Sequence, residues 1–342
     1  MRTKELIKKW WNWLRYEPSD PRFYTGGVIK IAALGGGTGL ATLLSGLKKY
    51  SNYISAIVTV ADNGTSTGVL RKEFDIVAPG DIRKCIAALA EDGELITNLL
   101  EYRFPKDKKV FGGHTLGNIW LTALSCYLGS FEKSVELTTE IFRTAGKVMP
   151  ATLDNINLVI KYRDGSRKVG EKHLDNSTKE IDSISLNNKK AKAYKKAVGE
   201  ISAADLILLG PGSLYGSLIP NLLIPGIRDA IKRNKKAVKI YIANCSTERT
   251  QTAGYSIEDH IRVIEEHTSA KLFDYCLVNN KIIKRSSCEL ELGEINNITT
   301  EKEVIKGVKI IREDVVSLDN PLFHDPNKLA ISLIEIYNKN KG

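Results

Sequence analysis

Cysteine, histidine and methionine are scarce in this chain, and what there is forms no pattern. Among 342 residues there are five Cys, five His and two Met. Cys85, Cys126, Cys245, Cys276 and Cys288 are odd in number and scattered, which excludes a disulfide framework and points to a reducing, cytoplasmic setting. His114, His173, His260, His267 and His324 lie far apart, and no zinc spacing occurs. Zinc chemistry therefore lacks support. No run of about 18 apolar residues exists to span a bilayer. Proline is also sparse, at ten, and the overall composition is that of an ordinary globular protein.

Charge is present in excess but is unevenly placed. The net charge is +10, and residues 1–30 together with 161–200 account for +9 of it. The rest of the chain is nearly neutral and has no basic stripe interleaved with aromatics, which argues against nucleic acid as a partner. Residues 4–15 place Leu6, Ile7, Trp10, Trp11 and Leu14 on one helical stripe with Lys and Arg opposite. This predicts an amphipathic helix docked on the body or on a partner, the alternative being a peripheral membrane contact. Residues 17–27 read as a linker, so 1–27 stand apart from a domain over 28–330 and a C-terminal helix or tail at 331–342.

Short apolar runs over 28–34, 54–61, 205–209, 238–244 and 273–279 suit strands buried on both faces of a mainly parallel sheet. Helical spacing follows the first of them and fills most of 81–148. An α/β fold with three layers, Rossmann-like, is the expectation. Between about 155 and 200 the period changes to alternation around Asp164-Gly165, which predicts a β-hairpin insertion.

Three strands end in glycine-rich polar turns. Gly35 to Gly39 opens a helix, where free amides and the absence of side chains suit a phosphate at Gly36, Gly37, Thr38 and Gly39. Leu40 breaks the dinucleotide fingerprint and no P-loop lysine follows. The second turn offers Asp62, Asn63, Gly64 and Ser66; Asp62 suits a ribose hydroxyl or a divalent cation, or else simply shapes the turn with Asn63. The third, Gly210, Gly212, Ser213 and Tyr215, offers amide and hydroxyl donors. At helix starts, Asp81 is either an N-cap or a ligand contact, Arg83 grips a phosphate or pairs with an acid, and His114 is a donor or a structural histidine.

The ordered motifs GGGTGL, TVADNGTSTG, LRKE, PGDIRKC, GHTLGN, GKVMPATLDN, GPGSLYGSLIPNLLIPGI and GYSIEDH resemble the CofD/YvcK family, from about Lys30 to about Pro326. That resemblance implies a Rossmann-like sheet between helix layers. It also implies a nucleotide-sugar site for a UDP-sugar such as UDP-GlcNAc, and carries over Asn118 and Asn244. The YvcK branch implies a regulator of gluconeogenic growth and cell shape that works through a protein partner or as a homodimer. The CofD branch implies an Mg2+-dependent transferase moving a phospholactyl group from a guanosine diphosphate donor to a deazaflavin. Asn63 stands where the family has a second Asp, and Phe323 where it has Arg. An amide binds Mg2+ less well than a carboxylate, so the expectation is a regulator that requires no cofactor, with Mg2+ admitted only at Asp62.

Overall fold

Branched aliphatic side chains without an intervening charge dictate where the central strands lie. The computed structural model describes residues 28–282 and 297–341, apart from Asn176 and Thr178. The expected helix and linker of 1–27 and Cys288 fall outside the described residues. Chain order runs β1 (Ile31–Gly35), α1 (Gly37–Leu47), β2 (Ile54–Val58), α2 (Thr65–Phe74), α3 (Gly80–Leu89), α4 (Gly93–Glu101), α5 (Leu116–Leu128), α6 (Phe131–Ile141) and β3 (Lys147–Pro150). There follow β4 (Leu158–Tyr162), β5 (Arg167–Val169), β6 (Ile181–Leu186), α7 (Lys195–Ala203), β7 (Leu206–Leu209), α8 (Ile219–Leu222), α9 (Pro225–Arg233) and β8 (Val238–Ile242). The chain ends with α10 (Ile257–Thr268), β9 (Tyr275–Asn279), β10 (Val304–Ile305), β11 (Val308–Glu313) and α11 (Pro326–Lys339).

Every residue of β1, β2 and β7 is buried, as strands covered on both faces require. The large sheet has the order β10-β11-β9-β8-β7-β1-β2-β3 and is parallel except for the β10–β11 hairpin. From β1 the chain steps outward through β2 to β3, then returns to the other side of β1 and steps outward through β7, β8 and β9. The connections therefore diverge between β1 and β7, and a crevice opens beyond the carboxyl ends of those two strands.

Helices α1, α3 and α11 cover one face of this centre. The C-terminal helix or tail expected over 331–342 is part of α11, which begins earlier, at Pro326, and buries Leu329, Ala330, Leu333, Ile336 and Tyr337. Gly46 makes its contact with α1 close: a Cβ there would lie 1.9 Å from the Pro326 carbonyl oxygen. Strands β5, β4 and β6 form a separate antiparallel sheet turned at Asp164 and Gly165, where Gly165 has φ +83° and Asp164 accepts from the Ser166 amide at 2.9 Å. Three of its basic side chains make exposed pairs, Lys161 with Asp182, Arg163 with Glu180 and Lys179 with Asp164.

Candidate functional site

The turn after β1 is shaped by what presses on it. Gly37 adopts φ +64°, and a Cβ on Gly36 would stand 2.5 Å from Asp81 Oδ2. A Cβ on Gly39 would stand 2.5 Å from the Pro211 carbonyl oxygen, so the turns after β1 and β7 touch through backbone. Two asparagines fix that contact. Asn221 donates to the Gly35 and Ser217 carbonyls at 3.0 and 2.8 Å. Asn244 accepts from the Gly212 amide at 3.1 Å and donates to the Gly212 carbonyl at 3.0 Å.

The second turn joins the same cleft. Asp62 Oδ1 accepts from the Gly64 amide at 2.7 Å, while its Oδ2 lies 2.8 Å from where a Cβ on Gly80 would be. Helices α1, α2 and α3 thus all start here, and none is capped by the side chain of its own N-cap residue, although the Asp81 carboxylate accepts from the Gly37 amide at the start of α1. Asp92, Thr115, Ser130, Ser256 and Asp325 cap α4, α5, α6, α10 and α11 in the usual way. Helices α7, α8 and α9 are uncapped too, the last two with Pro in the first turn. Three uncapped helix starts facing one cleft leave partial positive charge available to an anion.

Opposite those amides stands an acidic wall. Burial, then the neighbouring Asp62 charge, pushes Asp81 up to about 6 although Lys84, the Gly37 amide and Arg83 oppose it. Glu171, on the one-turn 3-10 helix Glu171–His173 of the insertion, is pushed up to about 8 by burial and by Asp62, Asp175 and Asp81. Glu248 is raised to about 7, again by burial first, and its Oε2 is enclosed without a hydrogen-bond partner among the described residues. Ser213 Oγ accepts from the Gly216 amide at 3.1 Å and donates to Gln251 at 2.7 Å, and Gln251 donates to Asp175 at 3.1 Å. Between α2 and the insertion the cleft opens into a polar hollow of about 750 Å³ lined by Gly64, Arg71, Lys72, Asn155, Glu171, Lys172 and Asp175 among others.

Several residues singled out from the sequence are brought to this region but are committed elsewhere. Arg83 is buried and donates to both Glu101 oxygens at 2.8 Å, to Asn118 at 2.8 Å and to Thr115. Of its two sequence readings, pairing with an acid is the one seen. Asn118 in turn donates to Ser66 Oγ at 3.1 Å, which lies 3.0 Å from His114 Nδ1. Asn63 accepts from the Lys172 amide at 3.0 Å and so holds the insertion over the turn. Tyr215 is 1% exposed, with its hydroxyl 3.0 Å from that of Tyr255, and burial raises its pKa. Gly36, Gly37, Thr38, Gly39, Asp62, Gly64, Asp81, Gly210, Gly212 and Ser213 remain on the turns that meet at the crevice. Sequence reasoning missed Glu171, Asp175, Glu248 and Gln251. The last two sit in the segment after β8, which has no glycine-rich turn next to the strand to mark them.

The family profile of 2-phospho-L-lactate transferase CofD matches residues 31–316, a span that contains every turn just described. The chain belongs to the CofD family. Within it, similar proteins called gluconeogenesis factor occur in Halalkalibacterium halodurans, 37% identical over 89% of this chain and 95% of its own, and in Listeria innocua, 37% identical over 91% and 97%. A Nostoc sp. protein to which that name is provisionally attached is 41% identical over 92% of this chain and 70% of its own length. A crystal structure of a UPF0052-family protein from Bacillus halodurans superposes with TM-score 0.83 at 34% identity, covering 90% of this chain and 99% of its own. This CofD-family chain thus shares its sequence with the gluconeogenesis-factor group and its fold with the UPF0052-family protein.

Proposed function

We propose that the crevice binds a nucleoside diphosphate sugar of the UDP-GlcNAc kind and that the protein is a cytoplasmic regulator of gluconeogenic growth and envelope metabolism rather than a catalyst. The observation that carries this reading is the meeting of three uncapped helix starts at the switch point between β1 and β7. Diphosphate oxygens suit the amides of Thr38 and Gly39, beside the Gly37 amide that Asp81 occupies, and the sugar and nucleoside suit the polar side chains of the third turn and the insertion. Asp62 and Asp81 supply two carboxylates, and no group of three His, Cys, Asp or Glu among the described residues is placed to hold a metal unaided. That arrangement fits Mg2+ shared with a ligand's phosphates, an ion that takes one or two carboxylates from a protein; when bound it would neutralise phosphate charge. Asn63, occupied with the insertion, leaves no second acid on that turn for transferase chemistry.

The test is a thermal-shift titration with UDP-GlcNAc, other UDP-sugars, GDP and NAD, with and without Mg2+. UDP-GlcNAc at about 100 times its Kd should stabilise the fold by about 2.7 kcal/mol, and Gly37→Asp should remove that shift by placing a carboxylate where phosphate must approach. A shift with GDP alone, together with turnover of a deazaflavin acceptor, would establish the transferase reading instead.

A further inference from the structure

Residues 102–111, between α4 and α5, form a short basic stretch interleaved with aromatics, of the kind not expected outside residues 1–30 and 161–200. Arg103, Lys106, Lys108 and Lys109 stand there against the single acid Asp107, an excess that acids elsewhere in the chain offset in the sum. The chain closes over this stretch as a tongue. The Phe104 amide donates to the His114 carbonyl at 2.9 Å, the Gly113 amide to the Phe104 carbonyl at 3.0 Å and the Leu116 amide to the Tyr102 carbonyl at 2.8 Å. A Cβ on Gly112 would lie 2.2 Å from the Lys108 carbonyl oxygen, so glycine is needed for so tight a return. The rings of Tyr102 and Phe111 brace the tongue against Phe104, with centroids 5.3 and 5.4 Å apart. Apolar groups nonetheless face water: Val110 is 77% exposed, Tyr102 52% and Phe111 46%.

We propose that this tongue docks the protein on an anionic lipid surface, Val110 and Phe111 entering the headgroup boundary while Arg103, Lys106, Lys108 and Lys109 meet the negative charge. The side chains decide the choice of occupant. Lys106, Lys108 and Lys109 are exposed, and Lys108 pairs with its neighbour Asp107 at 3.3 Å in water, where such a pair is worth little. An anionic bilayer rewards each basic side chain near its surface with about fivefold in affinity. The most exposed apolar group of the tongue, Val110, is aliphatic. It has no π-face on which a base could stack, which disfavours single-stranded nucleic acid, whereas the acyl boundary takes aliphatic and aromatic groups alike. A second copy meeting tongue to tongue would set like charges together. Protein interfaces are depleted in lysine, which is dense here. The tongue is also moored, since His114 Nδ1 at its base lies 3.0 Å from Ser66 Oγ at the start of α2, so little freedom is lost on docking.

The full-length protein should co-sediment with phosphatidylcholine vesicles holding about 30% phosphatidylserine, and the bound fraction should fall as salt rises from about 0.1 to about 0.5 M, because screening shortens the reach of surface charge. Lys108→Glu combined with Lys109→Glu should lower the partition coefficient at least about 25-fold, two fivefold factors, and Val110→Asp should lower it about tenfold. All three side chains are exposed, so the melting temperature should be kept. On the unaltered chain, amide hydrogen exchange over residues 106–111 should slow when the same vesicles are added, a readout that stands without any variant. Absence of sedimentation, or equal binding to vesicles of phosphatidylcholine alone, would overturn the proposal. So would vesicle binding that both variants keep, which would place the contact elsewhere on the chain. A tongue-dependent band shift with oligouridylate in place of vesicle binding, or self-association that the variants abolish, would overturn it in favour of nucleic acid or a second copy.

Discussion

Arg83 donates to Glu101, Asn118 and Thr115 at once, so its side chain has no N–H to spare for a ligand phosphate. Arg83→Met would strand two buried acceptors and the partly open Glu101 carboxylate. A loss of roughly 2–3 kcal/mol of stability is expected, below the full cost of breaking a buried pair because Glu101 keeps some water. UDP-sugar affinity should change less than about threefold, whereas loss of a phosphate-gripping arginine would cost tenfold or more; denaturant melts and calorimetric titration separate the two. Glu171 makes a prediction of opposite sign. Its carboxyl is raised from an ordinary 4.5 to about 8, so the folded state holds the proton more tightly than the unfolded chain does. Its neutral form costs nothing below about pH 4.5; the destabilisation grows as pH rises and is complete above pH 8. Glu171→Gln should therefore melt like the parent at pH 4.5 and several degrees higher at pH 9, as scanning calorimetry at the two pH values would show.

At the scale of elements, the touching turns after β1 and β7 make the crevice one object rather than two. Gly39→Ala directs a methyl at the Pro211 carbonyl, and since backbone cannot yield as a side-chain tip does, the turns must part. The expected result is a stability loss of about 1–3 kcal/mol and lost ligand binding, read by the same titration. The strands that build this object were legible because each is a short apolar run followed by a polar turn, a local signal. β3 and β11 were not. Lys147–Pro150 is four residues long and ends in Pro, and β11 alternates with Lys309 and Arg312, so neither carries the continuous apolar signature. The first-turn glycines announced themselves through composition. The acids facing them come from the insertion and from the segment after β8, and only the three-dimensional return of those segments brings them to Asp62. Nor could spacing tell that Arg83 turns toward Glu101, since the choice between phosphate and carboxylate is made by what packs alongside.

For the molecule as a whole, the site's charge runs against the chain's. The excess of Lys and Arg lies on residues 1–30 and 161–200, while the crevice itself is walled by Asp62, Asp81, Glu171 and Glu248. Asp81 near 6, Glu248 near 7 and Glu171 near 8 are successively deprotonated across the neutral range. Each new carboxylate about 6 Å from a phosphate would repel it by about 3 kcal/mol at an effective dielectric of about 20. In EDTA the affinity for UDP-GlcNAc should consequently fall at least tenfold between pH 6 and pH 9, and Mg2+ should flatten the profile by neutralising the contact. Isothermal titration at the two pH values, with and without the cation, decides it. A flat profile in EDTA would mean that the acidic wall does not face the phosphates, and the ligand would then have to lie the other way round in the cleft, with its sugar against α1.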